Sequence, residues 1–244
     1  MKKLLVIPDI HGRTFWKNIN YSDFDKIIFL GDFLDPYPKE NITPDMAREN
    51  LKEIIKFVNE YKDKVICLYG NHDLHYLSNS CVKSTRYENN PENRKLLSKL
   101  PFRVAYEDIV GDKQYLFTHA GVNLVWYNEV KPIIGELSAG NLNKLITKGI
   151  EYLSHINYYI RGGYDDAGSC IWSDLRELHS VPKFSKYTQV FGHTQLKKGP
   201  FIQNNKKYEQ FYCLDCRVPF VIYEYGVFKY HKTIGDKMIE DGLM

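Results

Sequence analysis

No apolar run in this chain approaches the ~20 residues that a membrane-spanning helix needs. The run after Met1-Lys2-Lys3, Leu4 to Ile7, stops at Pro8-Asp9, well short of the ~7–15 residues of a secretory apolar region. It reads as a first strand, and a soluble, cytoplasmic protein with no membrane partner is expected. An excess of one charge sign is also lacking: 33 Lys and Arg against 30 Asp and Glu leave a net charge of +3. Nucleic-acid-binding faces concentrate their basic residues, whereas these are scattered, so no nucleic-acid partner is expected. Lys197-Lys198 and Lys206-Lys207 read as a solvated loop and a hairpin. Cysteine is scarce: Cys67, Cys81, Cys170, Cys213 and Cys216 are odd in number and show no framework spacing. The Cys213-x-x-Cys216 pair stands alone in a strand-like stretch, where residues three apart point to opposite faces, so both read as thiols rather than as a zinc or redox pair. Gly-x-Ser-x-Gly, Gly-x-Gly-x-x-Gly and Gly-x-x-x-x-Gly-Lys-[Ser/Thr] are all missing, and there is no convincing Cys-His dyad. That excludes a serine nucleophile elbow and the common nucleotide loops.

What is present is a chain of 244 residues with 43% hydrophobic content, enough for a substantial core. Short continuous apolar runs at Leu4 to Ile7, Ile27 to Leu30, Val65 to Tyr69, Tyr115 to Phe117 and Val190 to Phe191 fit strands covered on both faces. Helical signals lie between them. Thr43-Pro44 is an N-cap with proline at the first helical position, and Leu51, Ile54, Ile55 and Val58 then repeat at helical spacing, predicting a helix over 44–61. Asn90-Pro91 opens a short helix carrying Leu96, Leu97 and Leu100. A third is expected after Asn141, with Leu142, Leu145, Ile146, Ile150, Leu153, Ile156 and Ile160 on one stripe until Gly162-Gly163. Late strands are expected at Lys207 to Leu214, Val218 to Glu224 and Val227 to His231, turning at Tyr225-Gly226. Strand–helix alternation followed by strands predicts an α/β (α+β) fold with two packed mixed β-sheets flanked by helices, an αββα sandwich. One domain over 1–244 is expected, because the polar clusters run from Asp9 to His193 and a boundary would divide them.

Those clusters close the apolar runs: Asp9-Ile10-His11-Gly12, Gly31-Asp32-Phe33-Leu34-Asp35, Gly70-Asn71-His72-Asp73, Thr118-His119-Ala120-Gly121 and Gly192-His193-Thr194. In helix-covered sheets, ligands collect beyond the carboxyl ends of the strands, so distant clusters can share one crevice. Asp9 and His11 are two apart and on extended chain project from one face. The Asp32 carboxylate can bridge two ions, Asn71 offers an amide oxygen, and His119 and His193 offer imidazoles. This mixed oxygen and nitrogen set suits manganese first, with iron, zinc or cobalt as alternatives, rather than calcium. Two such ions ~3.5–4 Å apart can generate a bridging hydroxide and stabilise charge on a phosphoryl group, so no side-chain nucleophile is needed.

In order, these motifs resemble the D-x-H-G, G-D-x-x-D, G-N-H-D/E, H-G/A-G and G-H signatures of the calcineurin-like metallophosphoesterases. The resemblance is nearest to the branch of serine/threonine phosphoprotein phosphatases and symmetrical diadenosine tetraphosphatases. It implies two divalent metal ions, one on Asp9, His11 and Asp32 and the other on Asp32, Asn71, His119 and His193. It also implies that His72, oriented by Asp35, protonates the leaving oxygen. Ile171-Trp172-Ser173-Asp174 is similar to a W-S-D segment of the phosphoprotein phosphatases. Two departures stand out. Gln195 replaces the second histidine that many other members carry after G-H, and Asp35-Pro36-Tyr37 lacks the arginine that usually follows and holds phosphate. Arg86 and Arg176 are the first candidates to replace it, with Arg13 and Arg161 behind them.

His75, His155, His179 and His231 read as ordinary histidines, Asp73 as a cap for the segment after it, and Asp215 as a turn or hydrogen-bonding residue. Ser78 to Asn93 and Gly162 to Ser169 are expected to set access to the crevice. The functional expectation is a phosphoesterase for phosphomonoesters, with phosphoserine and phosphothreonine of proteins as candidates and a small molecule, nucleotide or phosphoprotein as the partner. Hydrolysis of a dinucleoside polyphosphate or phosphodiester is the alternative. A module that keeps the fold and binds metal or phosphate without turnover is the reading from another class.

Overall fold

Side chains along the first strand alternate between two apolar environments, and that alternation builds the layers of the molecule. In the structure, a computed structural model describing residues 1–79, 86–179 and 181–230, β1 (Leu4–Ile7), β2 (Lys26–Phe29) and β3 (Val65–Leu68) run parallel in one sheet. The short β4 (Phe102–Arg103) extends it on one side. A second sheet holds β5 (Tyr106–Val110), β6 (Lys113–Phe117), β7 (Thr188–Phe191), β8 (Phe201–Gln203) and β9 (Phe211–Cys213). The chain then returns to the first sheet as the antiparallel hairpin β10 (Phe220–Tyr223) and β11 (Gly226–Lys229). Strand orders are β11-β10-β1-β2-β3-β4 and β5-β6-β7-β9-β8.

Leu4, Val6, Ile28, Leu30, Ile66 and Leu68 face Tyr115, Phe117, Val190 and Tyr212 of the other sheet, forming the middle of the sandwich. The alternate residues Leu5, Ile7, Ile27, Phe29, Val65 and Cys67 meet the apolar stripe of α1 (Pro44–Glu60). Thr43 caps that helix by accepting a hydrogen bond from the Met46 N–H at 3.2 Å. On the far side, Leu116 packs with Trp126, Val130 and Ile134 of α4 (Leu124–Ile134). Introduced in chain order, α2 (Asn71–Leu77) and α3 (Pro91–Leu97) lie between α1 and α4, and α5 (Ala139–Asn143), α6 (Leu145–Lys148), α7 (Tyr158–Arg161) and α8 (Leu175–Leu178) follow. The αββα sandwich expected from the order of elements is what the chain forms.

The expected third helix is not continuous. Gly149 leaves helical geometry with φ −177° and ψ 52°, a 3-10 turn covers Ile150–Ser154, and His155 is extended. Asn157 then restarts a single turn by accepting from the Ile160 N–H at 2.9 Å. Leu142, Leu145, Leu153 and Ile156 are nonetheless buried, because short pieces can present apolar side chains to the same core. Of the late strands, β9 is shorter than expected, and His231, like Cys81, lies outside the described residues. Cys213 and Cys216 pack in separate clusters as free thiols.

Replacing Ile54, fully buried between α1 and the sheet, by alanine should cost ~2–5 kcal/mol. Lys56→Ala, on the exposed face of the same helix, should stay within ~0.5 kcal/mol. Urea denaturation of both variants checks the pair.

Candidate metal centre

Parallel strands that all end on one side bring their following loops together. Asp9 and His11 follow β1, Asp32 and Asp35 follow β2, Asn71 and His72 open α2 after β3, His119 follows β6 and His193 follows β7. All eight side chains are buried. The loops make sharp reversals: His11, Asp32, Asp35 and His193 have φ of 44°, 56°, 59° and 63°. Left-handed backbone costs ~1–3 kcal/mol at a non-glycine residue and collects at functional sites, where surrounding structure holds it. Asp73 supplies part of that hold, accepting from the N–H groups of Asp32 (2.7 Å), Phe33 (2.9 Å) and Gly70 (3.0 Å). Its structural reading stands, although it braces the preceding loop as well as its own helix. Gly70 and Gly192 are present for space, since a methyl group on either would overlap the carboxylate of Asp32 or of Asp9.

Hydrogen bonds set the imidazole tautomers. Nδ1 of His11 faces the Leu34 carbonyl at 2.9 Å and Nδ1 of His119 faces the Leu30 carbonyl at 2.7 Å. A carbonyl only accepts, so each Nδ1 carries the proton and each neutral ring turns an Nε2 lone pair inward. His11 Nε2 lies 3.3 Å and His119 Nε2 3.5 Å from the same oxygen, Asp32 Oδ2. His119 Nε2 is also 3.0 Å from Asn71 Oδ1 and 3.2 Å from His193 Nδ1. The buried Nε2 of His193 has no hydrogen-bond partner among the described residues. Asp9 accepts from the His193 N–H through both oxygens at 3.1 Å, which ties the loop after β1 in one sheet to the loop after β7 in the other.

Acceptors converging on one carboxylate oxygen repel one another unless a cation lies among them, so this donor set fits divalent metal ions. Asp32, His119 and His193 form one compact group, and Asp32 with His11 and His72 forms another. Burial raises Asp9, and the negative charge of Asp32 raises it further.

Beside this group stands a second one centred on Asp35. His72 Nδ1 (2.7 Å) and His75 Nε2 (3.1 Å) share its Oδ2, and the Tyr76 hydroxyl donates to Oδ1 at 2.5 Å. Positions 72, 75 and 76 lie on one face of α2, at the i, i+3 and i+4 spacing of a helix. His75 is therefore a buried histidine satisfied by a carboxylate, in keeping with the sequence reading, and Asp35 is the partner that the sequence did not name. Tyr76 went unnoticed, and the signal that could have found both was their spacing from His72. The Arg86 guanidinium reaches His72 Nε2 at 3.1 Å, donates to the Asp35 carbonyl at 3.1 Å and stacks 3.7 Å above the Tyr37 ring. Burial pushes His72 down to about 4, against the pull of Asp32 and Asp35, and its Nε2 accepts from Arg86.

A cleft of about 500 Å³ opens over the group, lined by Asp32, Asn71, His72 and His193, with Tyr37, Arg86, Arg161, Tyr164 and Trp172 around it. Of the arginines considered from sequence, Arg86 and Arg161 thus face the cleft, and Arg161 also pairs with Asp174 at 3.0 Å. Arg176 does not line it: its fork lies on the Asp174 carboxylate at 2.8 and 3.1 Å and its side chain is largely exposed. Arg13 is held by Glu40 at 2.7 and 3.0 Å. Gly162 to Asp165 border the cleft as the access segment expected there. Of Ser78 to Asn93, residues 80–85 lie outside the described residues.

Burial would raise the Asp35 carboxyl, but its hydrogen bonds from His72, His75 and Tyr76 bring it down to about 2. A depressed acid stabilises the fold above its unfolded pKa of ~3.9, by about 2 kcal/mol here, and this is lost as pH falls through the folded value. In chelated protein, the stability gap between wild type and Asp35→Asn should therefore shrink by about half between pH 6 and pH 3. Urea titrations at the two pH values measure it, and a constant gap would contradict the assignment.

Comparison with known proteins adds a family to this geometry. A search by sequence against curated proteins finds no match. Among solved structures, the cold-active protein-tyrosine phosphatase of a psychrophile, Shewanella sp., superposes with a TM-score of 0.57 at 13% identity, over 94% of this chain and 77% of that one. At that identity the likeness is one of fold. A hypothetical protein from Pyrococcus horikoshii OT3 overlaps half of this chain, 50%, and 56% of its own, at 16% identity and a TM-score of 0.33, too little to bear on the architecture. The calcineurin-like phosphoesterase family model matches residues 2–223, and the chain belongs to that family.

Proposed function

We propose that this protein is a single-domain metal-dependent phosphomonoesterase working through two divalent cations, with manganese the first candidate. The observation that carries the reading is the meeting of the His11 and His119 lone pairs on Asp32 Oδ2, at 3.3 and 3.5 Å. Asp9, His11 and Asp32 would hold one cation, and Asp32, Asn71, His119 and His193 the other. Such a pair, when bound, activates water at neutral pH and neutralises charge on a phosphoryl group in line with it.

The protein's own side chains do the rest. Leu30 and Leu34 carbonyls fix the tautomers of His119 and His11, so their Nε2 atoms are ready as ligands. Asp35 fixes Nδ1 of His72 and leaves Nε2 facing the cleft, where it delivers a proton to the leaving oxygen. Arg86 takes the place of the arginine missing at Pro36: the Tyr37 ring supports its guanidinium from below. A substrate phosphate dianion is a stronger acceptor than an imidazole nitrogen. It draws Arg86 off His72 and favours the protonated ring. Arg161, on the cleft wall, offers a second phosphate contact. The Shewanella fold neighbour is named a protein-tyrosine phosphatase, which supports phosphomonoesters, phosphorylated side chains of proteins included, as the substrate class.

Two arginines on one cleft favour a second reading, a substrate with more than one phosphate such as a dinucleoside polyphosphate. A substrate panel separates the two: aryl phosphates and phosphopeptides on one side, diadenosine polyphosphates on the other. Asp32→Asn should lower kcat on an aryl phosphate by ~10³-fold or more with metal added back, and retained turnover would refute the mechanism. Arg86→Ala should lower kcat/KM by roughly 10–100-fold while Arg176→Ala stays near wild type, as read from steady-state kinetics on the same substrate.

A further inference from the structure

Asp215 is a buried carboxylate that the reading above leaves without a task. It follows β9, whose parallel register with β7 pairs Phe191 with Cys213. The Leu214 N–H carries that pairing on, donating to the Phe191 carbonyl at 2.8 Å, so Asp215 falls alongside His193 at the same end of the sheet. Cys213 closes the arrangement, its thiol donating to the Gly192 carbonyl at 3.5 Å. Asp215 is 1% exposed, and neither carboxylate oxygen has a hydrogen-bond partner among the described residues. Its backbone serves the hydrogen bonding expected of this residue, its carbonyl accepting from the Leu196 N–H at 2.9 Å, and its carboxylate takes no part in it.

Its charged neighbours explain why that is unusual. Arg13 and Arg217 attract it, but both guanidinium groups are committed to Glu40, at 2.7 and 2.8 Å. Burial and the nearby negative charges of Asp9 and Asp32 push its carboxyl well above the usual range. A carboxylate kept out of water beside two others is costly unless a cation compensates it. Two divalent ions bring four positive charges, and Asp9 with Asp32 supply only two negative ones.

We infer that Asp215 is a further anionic group of the cation site, compensating charge beside His193 and the Asp9 carboxylate that its N–H binds. The inference rests on the two-cation reading. Groups that stand behind metal ligands commonly change affinity by ~10–100-fold, and the neutral isostere Asp215→Asn isolates the charge.

The test is calorimetric titration of the chelated full chain with Mn, in wild type and Asp215→Asn, with melting curves before and after Mn. Wild type should take two ions. The variant should keep one site unchanged and weaken the other by ~10–100-fold. Its metal-free melting temperature should stay close to wild type, since neither side-chain oxygen has a hydrogen bond to lose among the described residues, and its rise on adding Mn should be smaller. Two sites of wild-type affinity in the variant would overturn the role of Asp215 and leave the two-cation reading intact. A metal-free variant that no longer folds would overturn it as well, because the Asp215 side chain makes no hydrogen bond among the described residues on which folding could depend. Wild type that takes up no Mn would overturn both.

Discussion

The Asp32 carboxylate is the point on which the two halves of the sandwich close. It belongs to the loop after β2 in the first sheet, and its Oδ2 is approached by His11 from that sheet and by His119 from the other. Oδ1 accepts from the His72 N–H at 2.9 Å. One side chain therefore lies between loops of both sheets at the end where they meet. The cost is electrostatic: a buried anion sits amid lone pairs, and a cation set removes the repulsion between these acceptors.

Rigidity at that point comes from backbone chemistry. Left-handed His11, Asp32, Asp35 and His193 would relax if the loops were free. They are not, because Asp73 grips the loop of Asp32 from below and the His193 N–H grips Asp9 across the sheets. The Leu30 carbonyl holds the ring of His119. Asp, Asn and His tolerate this backbone better than branched residues do, so residue types suited to holding metal are also suited to the turns that aim them. Glycine at 70 and 192 completes the fit by leaving room for the carboxylates.

The second group, around Asp35, joins the loops of the metal centre to the wall of the cleft. One helical face of α2 supplies His72, His75 and Tyr76 to a single carboxylate. Tyr76 in turn accepts from the Glu88 N–H at 3.1 Å, which anchors the residues just after Arg86. Arg86 comes from a segment far along the chain from Pro36, yet its guanidinium is held at Tyr37 and His72. A guanidinium missing at one position is thus supplied to the cleft from another element, with an aromatic face and a carbonyl to hold it.

Much of the fold was legible because it depends on local periodicity. Apolar runs marked β1, β2, β3, β6 and β7, and Thr43-Pro44 marked α1, since strand and helix periods differ and caps have their own chemistry. Helix α4 was not legible: Pro132 near its end breaks the pattern, and only the Asn123 cap, accepting from the Trp126 N–H at 2.9 Å, announces it. The stripe after Asn141 misled for the opposite reason, as apolar spacing survives breaks at Gly149 and His155. The motif residues of the centre could be named in advance because their types and order are a property of the chain. Which arginine faces the cleft, why His75 meets Asp35 and why Asp215 has no partner were decided by tertiary structure alone. Those contacts join residues tens to hundreds of positions apart, and directional hydrogen bonds and burial act on distances in space that no local pattern records.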